Sequence, residues 1–333
     1  MKASEVEAEI ERLEVEAQQA YLDQVAQTVR YASISELEQA VSDNDESLIA
    51  QILALGLFGM MVERLRSTYA RGASKELVGI IIPGVRREID MSDPDVTSFL
   101  SGQAAALREQ AERDQAEAVR TVLSFGRDRG DSPRTTALNL AGRMSKQTGR
   151  RTGGVVGLNG PAAEAVERSR DQLASGDPAQ LRNYLTRVRR DPAFDAAVRE
   201  AIATGKPIAQ ATIDRAAAAY ARRLLGTYAE ALAQTNTSEA YNKGREEGWK
   251  QLTARSNGMY TFAKTWRSMR DNKVRHTHAD MHGQTVMADQ AFTSPSGAML
   301  MFPCDTSLGA PLSERIRCRC VAEYSVRKTS QAV

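Results

Sequence analysis

The sequence predicts a mainly α-helical protein, with a long amino-terminal helical region followed by a small α+β module at the carboxy end. Three observations carry this. Aromatic residues are only 5% of the 333, while Ala, Arg, Glu and Gln are plentiful, a mix that favours helices over sheets. Apolar residues recur at spacings of three and four through much of the chain before about Tyr260. Beyond it the alanines thin out, and all three His and all three Cys fall between His276 and Cys320.

Composition excludes several classes. Lys and Arg number 44 against 42 Asp and Glu, a net charge of +2 that does not describe a dedicated polyanion binder. With 42% apolar and 26% charged residues the chain is not expected to be disordered. The acidic amino terminus has no apolar core of a signal peptide, so no secretory signal is expected. The longest apolar run, 49–62, is shorter than the roughly 20 residues a membrane span needs and reads as a buried core helix. Three cysteines without an export signal predict reduced thiols in a cytoplasm.

Residues 1–48 carry twelve acids against Lys2, Arg12 and Arg30, a charge of −9 that leaves +11 on the rest. Ser4 to Glu7 has the pattern of a helix-start capping box. Val6, Ile10, Leu13, Ala17, Tyr21 and Val25 then give an amphipathic helix to about Val29. Its acidic face is either solvated or a docking face for a basic partner. Ser35 to Glu38 signals a second helix, and a third is expected from about Ser47 to Tyr69. Ile80 to Gly84 is a short apolar stop. Asp93-Pro94 opens a long helix from about Val96 to Phe125.

Residues 126–160 change texture. Arg127, Arg129, Arg134, Arg143, Lys146, Arg150 and Arg151 against two Asp give +5, and glycines crowd the second half. These seven cations are candidate DNA-phosphate contacts, with a plain surface loop as the alternative. The Gly-rich turn lacks the Gly-Lys-Ser/Thr ending of a phosphate cradle. Helix resumes at Pro161, with further starts at Asp177-Pro178 and Asp191-Pro192 and a break at Lys206-Pro207. A strong helix follows from Ala209 to Leu252, in which the polar run Gln234 to Ser238 is expected to face solvent. Four segments are thus expected: a helical region 1–125, a basic Gly-rich linker 126–160, a helical region 161–255 and an α+β module 256–333.

In that module the stretches around Phe262 and Trp266, 285–287, 299–302 and 316–324 read as strands. In an extended segment Cys318 and Cys320 present their sulfurs to one face. Together with Cys304 and His278 they form a donor set suited to structural zinc. The alternative is three small buried hydrophobes with a loop-capping histidine. A hydrolytic metal on His276, His278 and His282 with Asp280, or a Cys318 nucleophile beside His278, lacks a recognisable acid–base or oxyanion partner.

Trp266, Arg275, His278, Gly283, Phe292, Pro303, Asp305 and Cys318-Arg319-Cys320, in this order, resemble the signature of phage head-morphogenesis proteins, the minor head proteins similar to phage Mu protein F. Upstream, Ala233 to Arg245 resembles the helix that precedes this module, with Gln234 and Asn236 standing where the family has Arg and Glu. The resemblance covers about 209–325. It implies a non-enzymatic virion component, present in few copies, inside the capsid near the portal and active in head assembly and DNA packaging. Its implied partners are portal protein, major capsid protein, scaffold and packaged DNA, with host cytoplasm as the site of assembly. In some phages such a protein leaves with the genome, and apolar segments 49–62 and 79–84 would then meet membrane. Arg319 is expected to point away from the sulfurs, toward Asp305 or Glu314.

Overall fold

The computed structural model describes residues 1–54, 59–145 and 148–329. In chain order the elements are α1 (Ala3–Tyr31), α2 (Ile34–Ser42), α3 (Glu46–Ile52), α4 (Gly59–Glu76), α5 (Pro94–Arg129), α6 (Pro133–Ala141), β1 (Arg143–Met144) and β2 (Arg151–Thr152). They continue with α7 (Gly160–Ala174), α8 (Pro178–Leu185), a 3-10 turn (Pro192–Phe194), α9 (Asp195–Thr204), α10 (Gln210–Ala254) and β3 (Tyr260–Arg267). The last are α11 (His276–Asp280), β4 (Thr285–Met287), β5 (Phe292–Thr293), β6 (Met299–Leu300), α12 (Leu312–Arg315) and β7 (Val321–Lys328). Of the described residues 61% are helical, and the sheet lies largely at the carboxy end, which is the expected fold class.

Packing divides the chain into two units, neither contiguous in sequence. The first comprises Met1–Tyr21, Gly59–Ala104 and Glu230–Val333; the second comprises Leu22–Phe58 and Ala105–Ala229. The long helices α1, α5 and α10 each contribute residues to both.

In the second unit, short helices are set by their caps. Ser33, Ser132, Asn159 and Asp177 each accept a hydrogen bond from a free N–H of the following turn, at α2, α6, α7 and α8 respectively. Each such cap contributes on the order of 1 kcal/mol. Leu173, Leu181, Tyr184, Val198, Ala201, Ile213 and Ala216 form the core under α7, α8, α9 and the start of α10. The expected helix starts at Pro161, Pro178 and Pro192 are all present.

Several expectations need correction here. The N-cap of α2 is Ser33, whose hydroxyl accepts from Glu36 N, two residues earlier than read from sequence. At α1 the helix begins at Ala3, and Glu5 reaches back to the Lys2 N–H at 2.9 Å, so Ser4 is not the cap. The apolar run 49–62 is not one helix. α3 closes at Ile52 and α4 opens at Gly59, while positions 55–58 lie outside the described residues. Segment 126–160 is not a bare linker. It contains the end of α5, helix α6 and the β1–β2 hairpin, and its Val155, Val156 and Leu158 are buried. The glycines are needed there for close approach: a Cβ on Gly154 would sit 2.5 Å from the Gly142 nitrogen.

The first unit holds the module. β3 pairs antiparallel with β4 on one side and β7 on the other, with Trp266 opposite Ala322 and Ala263 opposite Met287. β5 and β6 form a separate hairpin. Beside the sheet, Trp249 and Leu252 of α10 pack with Leu77, Ile82 and Phe262, and the Trp249 ring stacks on Tyr324 at 6.2 Å. The amphipathic face of α1 is as expected: Val6, Ile10 and Leu13 pack with Tyr241 and Val321. α4 and α10 approach through glycines. A Cβ on Gly72 would lie 3.2 Å from the Tyr241 carbonyl carbon, and one on Gly244 would lie 2.9 Å from that of Tyr69.

Two buried ion pairs fix α10 in this unit. Arg245 donates to Glu76 at 2.8 Å, and Trp249 Nε1 donates to the other Glu76 oxygen at 3.3 Å. Lys264 of β3 donates to Glu246 at 2.9 Å and to the Met301 carbonyl at 2.7 Å. The polar run of α10 does not face solvent throughout. Thr237 and Ser238 are fully buried, so this stretch is an internal surface of the unit and leaves the helix unbroken.

Candidate functional site: a buried histidine–cysteine centre

The site is assembled from three segments of the module. His278 lies on α11, whose start at Arg275 is fixed when the Arg275 guanidinium donates to the Ile316 carbonyl. Cys318 and Cys320 lie in the extended run leading into β7, which begins at Val321 and not at Ile316 as the alternation suggested. The period of two nonetheless holds: both sulfurs point inward while Arg319 is half-exposed. Strand β6 is likewise shorter than 299–302, ending at Leu300. Cys304 follows Pro303 in a turn and takes a left-handed φ of 71°, an uncommon conformation for a residue with a Cβ.

Inside, His278 Nδ1 stands 3.4 Å from Cys318 Sγ and 3.6 Å from Cys320 Sγ. Its Nε2 lies 2.8 Å from Glu314 Oε2. Glu314 is itself held by Ser296 Oγ at 2.8 Å and Thr277 Oγ1 at 3.3 Å. Cys304 is buried in the same cluster, its thiol directed at the carbonyls of Arg315 (3.7 Å) and Cys318 (3.8 Å). Around them pack Trp266, Met281, Phe292, Leu300, Ala310 and Ala322. The Trp266 ring meets His278 and Phe292 edge-on, each at 5.2 Å.

The electrostatics follow from the contacts. Hydrogen bonds from Cys304 and Cys320 and the nearby His278 hold the Cys318 thiol well below its ordinary value, against burial. The same contacts with Cys318, with burial, push Cys304 and Cys320 up. Burial acts to lower the His278 pKa, but Cys318 and Glu314 outweigh it and raise it. Of the three thiols, Cys318 is thus the one whose surroundings most favour ionisation, with His278 and the other two cysteines turned toward it.

The expected donor set is thus brought together in part. His278, Cys318 and Cys320 place ligand atoms within 4.8 Å of one another, and Cys304 sits against Cys318 but outside that radius. The other histidines do not join them. His276 is exposed, and His282 Nδ1 accepts from Ser268 N at 3.2 Å, so the three-histidine hydrolytic arrangement is not formed. The remaining motif residues have architectural contacts. Gly283 takes φ 89° and donates its N–H to the Trp266 carbonyl at 2.8 Å. Asp305 accepts from Met301 N at 2.7 Å and from Ser307 N at 2.8 Å, closing the turn that carries Cys304.

Arg319 departs from expectation. It pairs with Glu7 of α1 and with Asp271, not with Asp305 or Glu314. Several acids of α1 are paired within the chain in the same way. Glu9 is ion-paired with Arg12, Arg71 and Lys75, and these contacts pull its pKa down to about 2 against burial. Glu16 pairs with Arg12 and Arg64. Glu14 lines a small cleft with Glu7, Ile10, Gln234 and Arg319, and burial pushes it up to about 7.

The candidate DNA contacts separate into two groups. Arg129 is clamped by Asp131, Glu167 and Asp171, and Arg143 by Asp214 and Asn139, so neither presents a free guanidinium. Arg134 pairs with Glu38 at the surface, Arg151 reaches the Gly142 carbonyl, and Arg127 and Arg150 are exposed. Lys146 lies outside the described residues. Sequence reading missed Glu239, a buried acid on α10 that accepts from Thr306 at 2.7 Å and from Gln103 at 3.4 Å. Its signal was present as a carboxylate directly after the Thr237-Ser238 pair on an Ala-rich helix.

Fold and site together define a helical protein that ends in a small α+β module tied by buried His and Cys. Residues 193–323 match the model of the family described as phage Mu protein F like protein. The match supports the head-morphogenesis resemblance carried by Trp266 through Cys320 and begins upstream of it, at the 3-10 turn before α9. No curated protein and no solved structure matches the chain.

Proposed function

We propose that this chain is a phage minor head protein, a non-enzymatic virion component held inside the capsid near the portal, which assists head assembly and DNA packaging. The observation that carries the reading is the family match over 193–323, whose motif residues Trp266, Phe292, Cys318 and Cys320 share one packed core with Ala322 of the sheet. The partners are portal protein, major capsid protein and scaffold, with several copies per virion and assembly in the host cytoplasm. Exposed cations such as Arg127 and Arg150 suit non-specific contact with packaged DNA. No helix among the described residues is long and apolar enough to cross a membrane.

Quantitative mass spectrometry of DNA-filled particles against particles emptied by triggered ejection tests this. Retention at a fixed low ratio to the portal is expected. Loss with the DNA would replace docking by ejection into the host, and absence from both particles would remove the virion role.

A further inference from the structure

We infer that the module is built around a tetrahedral structural zinc ion, bound by His278 Nδ1 and the sulfurs of Cys318 and Cys320, with Cys304 as fourth ligand and Glu314 as the carboxylate that orients the histidine. The geometry comes first. Zinc bonds of about 2.05 Å to nitrogen and about 2.3 Å to sulfur, at a tetrahedral angle, separate the two ligand atoms by about 3.5 Å. The distances from His278 Nδ1 to the two sulfurs, 3.4 and 3.6 Å, bracket that edge. All three atoms fall within 4.8 Å of each other, as the edges of one coordination sphere require.

The hydrogen-bond inventory favours the same arrangement. With Nε2–H donating to Glu314, the single lone pair of Nδ1 faces two sulfurs and can accept from only one thiol. A divalent ion satisfies the nitrogen and both sulfurs at once, with loss of the thiol protons. The Glu314 contact is the usual outer partner of a zinc-bound imidazole, which fixes the ring and its tautomer. Glu314 in turn is anchored by Ser296 and Thr277, so the orientation is supported from two loops.

Cys304 closes the set. It is fully buried against Cys318, in a turn held by Asp305, and keeps its left-handed φ of 71° although glycine would relieve it. An ion here cross-links α11, the 301–305 turn and the run into β7. Apart from β7, which pairs with β3 along eight residues, these segments rest on two- and three-residue strands and a small core, the situation in which a metal stabilises a fold.

The full-length protein, purified without chelator from zinc-supplemented cells, is expected to hold about one zinc per chain by plasma mass spectrometry. Cobalt added to the metal-stripped protein should give the intense visible bands of a tetrahedral site together with thiolate charge-transfer absorption. Cys318→Ser and Cys320→Ser should each lower zinc content at least about tenfold. Because these variants can also unfold the module, Glu314→Gln supplies a gentler test. It should retain the helical circular dichroism while chelator competition shows zinc affinity about 10- to 100-fold weaker. Absence of zinc together with a cobalt spectrum lacking thiolate bands would overturn the site. Unchanged affinity in Glu314→Gln would overturn the role of the carboxylate, and an unchanged cobalt spectrum in Cys304→Ser would remove the fourth ligand.

Discussion

Replacing Gly244 by Ala should destabilise the protein, although glycine is a poor helix residue and Gly244 lies inside α10. At an open helical site the change gains about 1 kcal/mol from propensity alone. At Gly244 the new Cβ would lie 2.9 Å from the Tyr69 carbonyl carbon and nearer still to its oxygen, both backbone atoms of α4 that no rotamer change can move. Relief requires the two helices to part, and overpacking of this kind costs roughly 1–3 kcal/mol and loosens the neighbouring contacts. With two backbone atoms inside 3 Å the cost falls in the upper part of that range, and subtracting the propensity gain leaves about 1–2 kcal/mol of destabilisation. Gly102 on α5 provides the internal control, because a Cβ there meets nothing within 4 Å, and Gly102→Ala should stabilise. Both tryptophans, Trp249 and Trp266, are buried in the same unit as these glycines, so their fluorescence during urea unfolding reports on it directly. At constant m-value the two midpoints should move in opposite directions from wild type. A Gly244→Ala protein as stable as wild type would refute the close approach of α4 and α10.

Two further outcomes follow from buried charge. Glu239 is pushed up to about 7 by burial, so the folded state holds a proton that the unfolded chain releases near its ordinary value of 4.5. Its contribution is therefore fully present below about pH 4.5 and is lost as pH rises through 7, by up to roughly 3 kcal/mol at 1.36 kcal/mol per unit. Glu239→Gln should flatten this fall, so the variant gains on wild type between pH 4.5 and 8 in urea melts, whereas a pH-independent difference would contradict it. Removing Glu76 by Ala leaves the fully buried Arg245 unpaired and should cost about 3–5 kcal/mol. Pairing Glu76→Leu with Arg245→Met should recover most of that loss; equal midpoints for the single and double variants would refute the pairing.

Much of the fold was legible because helices declare themselves through periodicity and caps. The α1 stripe from Val6 to Val25 and the starts at Pro161, Pro178 and Pro192 are local properties, decided by residues within a turn or two of each other. The same locality explains the errors. Ser33–Glu36 and Ser35–Glu38 share one capping pattern, and the folded α2 starts from the first. Apolar residues on both sides of 55–58 suggested one helix, since composition does not mark where α3 closes. In the candidate site, His278, Cys318 and Cys320 could be picked out by residue type, while Glu314 stood in sequence only as a possible partner of Arg319.

What the sequence by itself determined is the helical class, the placement of a small α+β module after Tyr260, and the grouping of its donor residues, because propensity, periodicity and residue chemistry are written along the chain. What only the tertiary structure decided is which charges find each other. Arg319 meets Glu7 across more than 300 positions, Glu9 is met by Arg71 and Lys75, and Arg129 is spent on Glu167. A cation in sequence looks equally available to DNA, a partner or its own fold. Coulomb attraction falls with distance and rises with burial, so partner choice is settled only when folding fixes both.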